Sequence, residues 1–294
     1  MRNRKARLAA VAGALALAAG LVAPAYADAP APITAPPAAA LDAPVVHGRA
    51  AYLLDASTGK VLLDDDGAER MPIASLTKTM TAYVVLRSAR PTDVVKISAA
   101  DEEYAEDGGG TTADLRPGDR LTVGELLYAL MLPSGADAAH ALARTYGPGV
   151  DGFVARMNAT ARELGMTDTR YVNADGLPTP GGDGWSTARD QARLAAEALR
   201  NPLIRQAAGT RYHTLDAGPG HGSYVWRNTN RLLGTPGAIG LKTGFTRAAG
   251  YCLAFAGQED GRTLVGVILG ESVSSRRFST AEDLLEWGAA RGAA

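Results

Sequence analysis

Met71-Pro72-Ile73-Ala74-Ser75-Leu76-Thr77-Lys78-Thr79-Met80-Thr81-Ala82 is the stretch on which the reading of this 294-residue chain turns. Within it, Ser75 and Lys78 put a hydroxyl and an amine three residues apart, on one face at the start of a predicted helix over 75–87. A helix start offers unpaired backbone N–H groups and a dipole that favours developing negative charge, so Ser75 is a candidate nucleophile. Lys78 is its candidate base, because a partly buried lysine beside another cation can lose its proton whereas arginine keeps its own. The chain holds 25 Arg against 5 Lys, which makes a lysine here informative. The alternative for these residues is a capping serine followed by a solvated lysine. A second lysine motif, Lys242-Thr243-Gly244, stands far downstream on a predicted strand. There Lys242 can hold a carboxylate, Thr243 can add a hydrogen bond, and Gly244 can let a substrate backbone approach.

Working outward, Arg2, Arg4, Lys5 and Arg7 precede an apolar run over 8–23 and the small-residue site Ala25-Tyr26-Ala27. That is the pattern of a secretory signal peptide at 1–27, and the run is short and alanine-rich for a membrane anchor. Cleavage after Ala27 removes four basic and no acidic residues and takes the formal net charge from −1 to −5. A mildly acidic surface argues against a nucleic-acid partner. Residues 28–44, with five prolines, read as an extended linker. Residues 45–294 remain for the folded body, without a further stretch long enough to span a membrane. The protein is therefore expected to be exported to the extracellular or cell-wall space. Its single cysteine, Cys252, excludes an intramolecular disulfide framework and reads as a buried core thiol.

Apolar runs at 49–56 and 60–64 flank Ser57-Thr58-Gly59 and predict a hairpin. Three more strands are expected at 240–245, 251–257 and 262–269, with weaker candidates at 211–215 and 224–227. Between these groups, 75–87, 123–131, 136–146, 150–164 and 187–199 recur at helical spacing, the last capped by Ser186 or Thr187. An amphipathic helix over 279–290 closes the chain. Strands at both ends with helices between predict an α+β fold: one antiparallel sheet built from the two termini, plus a helical subdomain inserted at about 88–210. A cleft between the two parts is the expected place for a site.

Ser-x-x-Lys with a downstream Lys-Thr-Gly is the motif pair of penicillin-binding proteins and class A β-lactamases. The flanking text narrows this. The 71–82 stretch, Met131-Leu132-Pro133-Ser134-Gly135-Ala136-Asp137, Gly165-Met166-Thr167, Asn173-Ala174-Asp175-Gly176-Leu177-Pro178 and Leu241 to Gly244 resemble the low-molecular-weight D-alanyl-D-alanine carboxypeptidases. The resemblance covers about 47–290. It implies a β-lactamase/DD-peptidase-like fold with a five-stranded antiparallel sheet flanked by helices. It also implies that Ser75 attacks the carbonyl between two terminal D-alanines of a peptidoglycan stem peptide, that Lys78 takes its proton, and that Ser134 relays a proton to the leaving D-alanine. Lys242, Thr243 and Arg277 would recognise the terminal carboxylate. The backbone N–H groups of Ser75 and Phe245 would form an oxyanion hole. β-Lactams would be covalent inhibitors, and no metal or organic cofactor is implied. His47, His140, His213 and His221 lack metal-ligand spacing and read as structural or solvated.

One departure stands out. The family's middle motif is Ser-x-Asn, and Ala136 occupies its third position, so an amide that would steady Lys78 and the substrate is missing. Slower or narrower catalysis is expected. Three other readings share parts of this evidence. A β-lactamase needs a water-positioning glutamate, and Glu163-Leu164 continues instead into Gly165-Met166-Thr167. An endopeptidase would use the same residues. A catalytically weak penicillin- or peptidoglycan-binding protein would bind without releasing D-alanine.

Overall fold

The computed structural model describes residues 42–259 and 261–291; the expected signal peptide and nearly all of the expected linker lie outside them. In chain order the elements begin with strands β1 (Ala50–Asp55) and β2 (Lys60–Asp65), a 3-10 turn (Ala74–Leu76) and helix α1 (Thr77–Leu86). There follow β3 (Val94–Lys96), α2 (Ala99–Asp107), β4 (Arg120–Thr122), α3 (Val123–Met131), α4 (Ala136–Tyr146) and α5 (Gly149–Glu163). Next come α6 (Ala188–Ala198), α7 (Pro202–Gly209), β5 (Tyr212–Leu215) and β6 (Tyr224–Arg227). The chain closes with β7 (Ala238–Thr246), β8 (Gly250–Glu259), β9 (Arg262–Glu271) and α8 (Arg276–Ala290).

The main sheet runs β2-β1-β9-β8-β7, every pair antiparallel, so the first two strands and the last three close one sheet as expected. Both its faces are covered, which is why β8 and β9 read as apolar runs rather than as alternations. Alternate residues still part to opposite sides. Leu253, Phe255 and Ile268 pack with Phe278, Ala281, Leu284 and Trp287 of α8. Cys252, Ala254, Ala256, Val265 and Val267 face the larger core with α1 and α6. The Phe255 ring lies over its cross-strand neighbour Gly266, where a β-carbon would come within 2.2 Å of it. Cys252 is buried in the sheet, as expected, and burial pushes its thiol up to about 11.

Between the terminal strands the chain is mostly helical. Capping boxes start α2, from Ser98 and Asp101, and α3, from Thr122 and Glu125. Thr187 rather than Ser186 caps α6, its hydroxyl accepting from the Asp190 N–H. Helix α1 is buried almost all round, its three threonines and Lys78 included, because it runs through the core. Three features were not expected. Helix α2 carries too few apolar residues to show a helical period, α7 is too short, and the β3–β4 ladder is only three residues long on each side. No helix among the described residues is long and apolar enough to cross a membrane.

Candidate active site

The 3-10 turn places the nucleophile candidate. Ala74 adopts a left-handed backbone (φ 48°), which turns the chain sharply just before Ser75. Helix α1 itself begins at Thr77, with Leu76 in the N-cap position and no side-chain cap. Ser75 is therefore not a capping residue, and the simpler reading of it falls. Lys78 is 1% exposed, so it is not a solvated lysine either. Its Nζ lies 3.0 Å from the Ser75 Oγ and 3.0 Å from the Asp175 main-chain oxygen. Burial pulls the amine down to about 8, against the opposing pull of the Asp175 and Asp137 carboxylates. An uncharged amine here donates to the Asp175 carbonyl and turns its lone pair to the hydroxyl, within reach for proton transfer.

A loop that sequence reasoning quoted but gave no role, Asn173 to Pro178, holds this turn. The Thr81 hydroxyl donates to the Ala174 oxygen at 2.6 Å, one helical turn beyond the Lys78 contact. Gly176, at φ +83°, sits against the Ala74 carbonyl oxygen. Asn173 ties the loop internally, accepting from the Gly176 N–H and donating to the Leu177 oxygen, both at 2.7 Å.

Ser134 takes a left-handed backbone (φ 70°), and its buried Oγ has no hydrogen-bond partner among the described residues. Its segment is pinned by Thr111 Oγ1 donating to the Ser134 oxygen (2.8 Å) and by the Ala136 N–H donating to the Thr111 oxygen (2.8 Å). Ala136 is fully buried. Next to it Asp137 accepts from the N–H groups of Ala113, Leu115 and Ala138.

Lys242, Thr243 and Gly244 lie on β7, an edge strand of the sheet. The Thr243 hydroxyl is 2.6 Å from that of Thr229, whose N–H donates to the Leu132 oxygen, so the middle and last motifs are linked through one residue. Lys242 is 1% exposed and donates to the Thr243 oxygen at 3.0 Å. Burial, then the charges of Lys78 and Arg277, hold its amine well below the usual range. These three basic groups lie close enough to disfavour each other's charge, and an anionic group beside them would be favoured.

Two of the residues expected to meet substrate also hold β7 in place. A β-carbon on Gly244 would stand 2.9 Å from the Ile73 oxygen and 3.3 Å from the Ser75 nitrogen. The glycine thus seats β7 against the nucleophile's turn, and that space is not open to a substrate backbone. Arg277 is nearly buried, and its Nη1 donates to the oxygens of Gly244 (2.9 Å) and Cys252 (3.0 Å), which are paired across β7 and β8. It lies between the rings of Tyr251 and Phe278. Through Nη1 it braces the strand that carries Lys242, while its buried Nε has no partner among the described residues. Phe245 is 52% exposed and stacks on Tyr251 with 4.4 Å between ring centres.

The histidines do structural work or lie exposed: His140 bonds Asp101 at 2.7 Å, His213 stacks on Tyr128, His221 bonds the Gly222 oxygen, and His47 is exposed. Among the described residues no group of three His, Cys, Asp or Glu side chains could hold a metal ion. A cleft of about 880 Å³ runs between the β1–β2 hairpin and helices α5 and α6, lined by Tyr52, Arg189, Arg193 and Glu197, and it contains none of the candidate catalytic or substrate-binding residues.

Comparison with known proteins agrees with this arrangement. The profile of the peptidase S11 family, D-alanyl-D-alanine carboxypeptidase, matches residues 37–273. A D-alanyl-D-alanine carboxypeptidase of Streptomyces sp. strain K15 is 35% identical over 301 residues, covering 98% of this chain and 99% of that one. The carboxypeptidase DacF of Bacillus subtilis is 33% identical over 246 residues; the match takes in 82% of this chain and 62% of the longer relative. The crystal structure of the Streptomyces K15 DD-transpeptidase superposes with a TM-score of 0.80 at 35% identity, over 85% of this chain and all of that one. The motifs, the fold and these matches agree: the chain belongs to the D-alanyl-D-alanine carboxypeptidase family of serine peptidases.

Proposed function

We propose that the protein is a serine-type D-alanyl-D-alanine carboxypeptidase acting through a Ser75 acyl-enzyme. The observation that carries this reading is the 3.0 Å contact between the Ser75 hydroxyl and a fully buried lysine amine pulled down to about 8. The Ser75 oxygen attacks the carbonyl carbon between two terminal D-alanines as its proton passes to Lys78. The N–H groups of Ser75 and Phe245 receive the oxyanion, a contact whose loss typically costs about 10²–10³ in rate. When the tetrahedral intermediate collapses the C–N bond breaks, and the departing amine takes the Lys78 proton through the unpartnered Ser134 hydroxyl. Water then attacks the ester, Lys78 takes its proton, and the Ser75 oxygen leaves and is reprotonated. Lys242 and Thr243 hold the terminal carboxylate, with the Arg277 charge near them. Penicillin enters the same way and remains as a slowly hydrolysed ester.

The test is release of free D-alanine from a pentapeptide ending in D-Ala-D-Ala, with Ser75→Ala as control. Release abolished in the variant, together with a penicilloyl adduct on Ser75 by mass spectrometry, is expected. An adduct without D-alanine release would favour a penicillin-binding protein that does not turn over. A transfer product formed with an added amine, and no hydrolysis, would favour transpeptidation. Export is part of the same proposal: the substrate lies outside the membrane, and residues 1–27 have the pattern of an export signal. A secreted protein beginning at Asp28 by N-terminal sequencing is expected; an intact Met1 overturns the cleavage site.

A further inference from the structure

Asp175 is fully buried beside Lys78, yet its side chain does little to hold its own loop. Oδ1 accepts from the Leu177 N–H at 2.9 Å, a bond that an asparagine oxygen could accept equally. Among the described residues Oδ2 meets no donor at full hydrogen-bond geometry, and the one side-chain donor beside the carboxylate is the Tyr104 hydroxyl. Asn173, Thr81 and Gly176 already fix the loop. A fully buried carboxylate with so few donors is costly and calls for a reason other than loop geometry. What asparagine could not supply is charge.

We propose that Asp175 is a positioning residue for acyl transfer. Its main-chain carbonyl aims the Lys78 amine at Ser75, and its buried carboxylate stabilises the ammonium that Lys78 becomes on taking the Ser75 proton. This rests on Lys78 being the base for Ser75. The charged groups around that amine come from three elements. Asp137 of α4 is a second carboxylate, but three main-chain N–H groups already share its charge. Lys242 of β7, with Arg277 beyond it, opposes any added positive charge. Asp175 alone supplies both a direct main-chain contact to the amine and a carboxylate whose charge only one main-chain N–H shares. On its far side stands the Tyr104 hydroxyl of α2, whose ring stacks on His140.

The experiment follows the second-order rate of acylation by a fluorescent penicillin from pH 6 to 10 in the full-length protein, Asp175→Asn and Thr81→Val. Asparagine is isosteric and keeps the Leu177 bond, so the variant is expected to fold. Losing an opposite charge at this range lowers the acid limb of its profile by about one pH unit. Its plateau falls several-fold, because the ammonium formed in the reaction is less well stabilised. Thr81→Val loosens the same loop without changing charge, so it lowers the plateau and leaves the limb in place. NMR titration of the Lys78 side chain, one of five lysines, reports the same shift without turnover. A limb and titration in Asp175→Asn that match the wild type overturn the proposal. Acylation that survives in Ser75→Ala overturns instead the reading on which it rests.

Discussion

Gly176 rests directly on the carbonyl oxygen of Ala74: a β-carbon on Gly176 would stand 1.9 Å from that oxygen and 2.8 Å from the Thr77 hydroxyl. Ala74 itself holds a left-handed backbone one residue before Ser75. The loop and the nucleophile's turn therefore fix one another. Gly176→Ala must move one of them, and its own φ of +83° is unfavourable for any L-residue. The expected result is a stability loss of about 2 kcal/mol or more by thermal or denaturant unfolding, with slower penicillin acylation. Unchanged melting would show that the two segments are not interlocked.

The proposed mechanism needs a free Lys78 amine, which burial pulls down to about 8. The rate is therefore expected to rise with pH through about 8, as the ammonium is lost. The sign for stability follows from the same group. Between about 8 and the ordinary lysine value of 10.5 the unfolded chain binds more protons than the native one, so the Lys78 contribution rises with pH across that window. Stopped-flow acylation across this range checks the first statement, and a flat profile would contradict it.

Ser134 combines a left-handed backbone with a buried, unpartnered hydroxyl, two unfavourable features at one position. Ser134→Gly removes both and is expected to raise stability by about 1 kcal/mol. If the hydroxyl relays the proton to the leaving amine, D-alanine release falls at least tenfold at the same time. A variant that is more stable and equally active would remove Ser134 from the reaction.

Ala136→Asn tests the missing amide. The site is fully buried, so the larger side chain is expected to cost about 1–3 kcal/mol of stability through overpacking. Turnover on a D-Ala-D-Ala peptide should nonetheless rise if an amide can steady Lys78 and the substrate. Unchanged or lower turnover in folded protein counts against that account of the motif.

Gly266→Val probes the sheet away from the reaction. The Phe255 ring occupies the space that the new side chain needs, so a loss of about 1–3 kcal/mol is expected. Penicillin acylation measured well below the new melting point should keep its wild-type rate. A parallel loss of acylation would mean that strain in β8 and β9 reaches the site.

Much of the fold was legible because it follows from local pattern. The β8 and β9 runs, the Ser57-Thr58-Gly59 turn and the closing helix carry their periodicity and turn chemistry on their face. Helix α2 was not legible, since AADEEYAED has two buried residues and a polar remainder, and its capping box lies outside any apolar stripe. At the site, Ser75, Lys78 and Lys242 were found by motif. Thr229 and Asp137 were not, because a threonine joining the Thr243 hydroxyl to the Leu132 oxygen and an aspartate capped by distant N–H groups have no spacing of their own.

The sequence by itself determined the reacting pair, the Lys-Thr-Gly strand, the sheet built from both ends of the chain and the family, because each depends on neighbours within a few residues or on ordered motifs. Only the tertiary structure decided what fits Lys78 to the proposed role of base. Its burial, its bond to the Asp175 carbonyl nearly a hundred residues away and the nearby Lys242 are products of chain packing. It also showed that Gly244 seats, and Arg277 braces, the strand that packs on the Ser75 turn. A motif specifies which groups are present; desolvation and distance, which set their protonation and reach, exist only once the chain has folded.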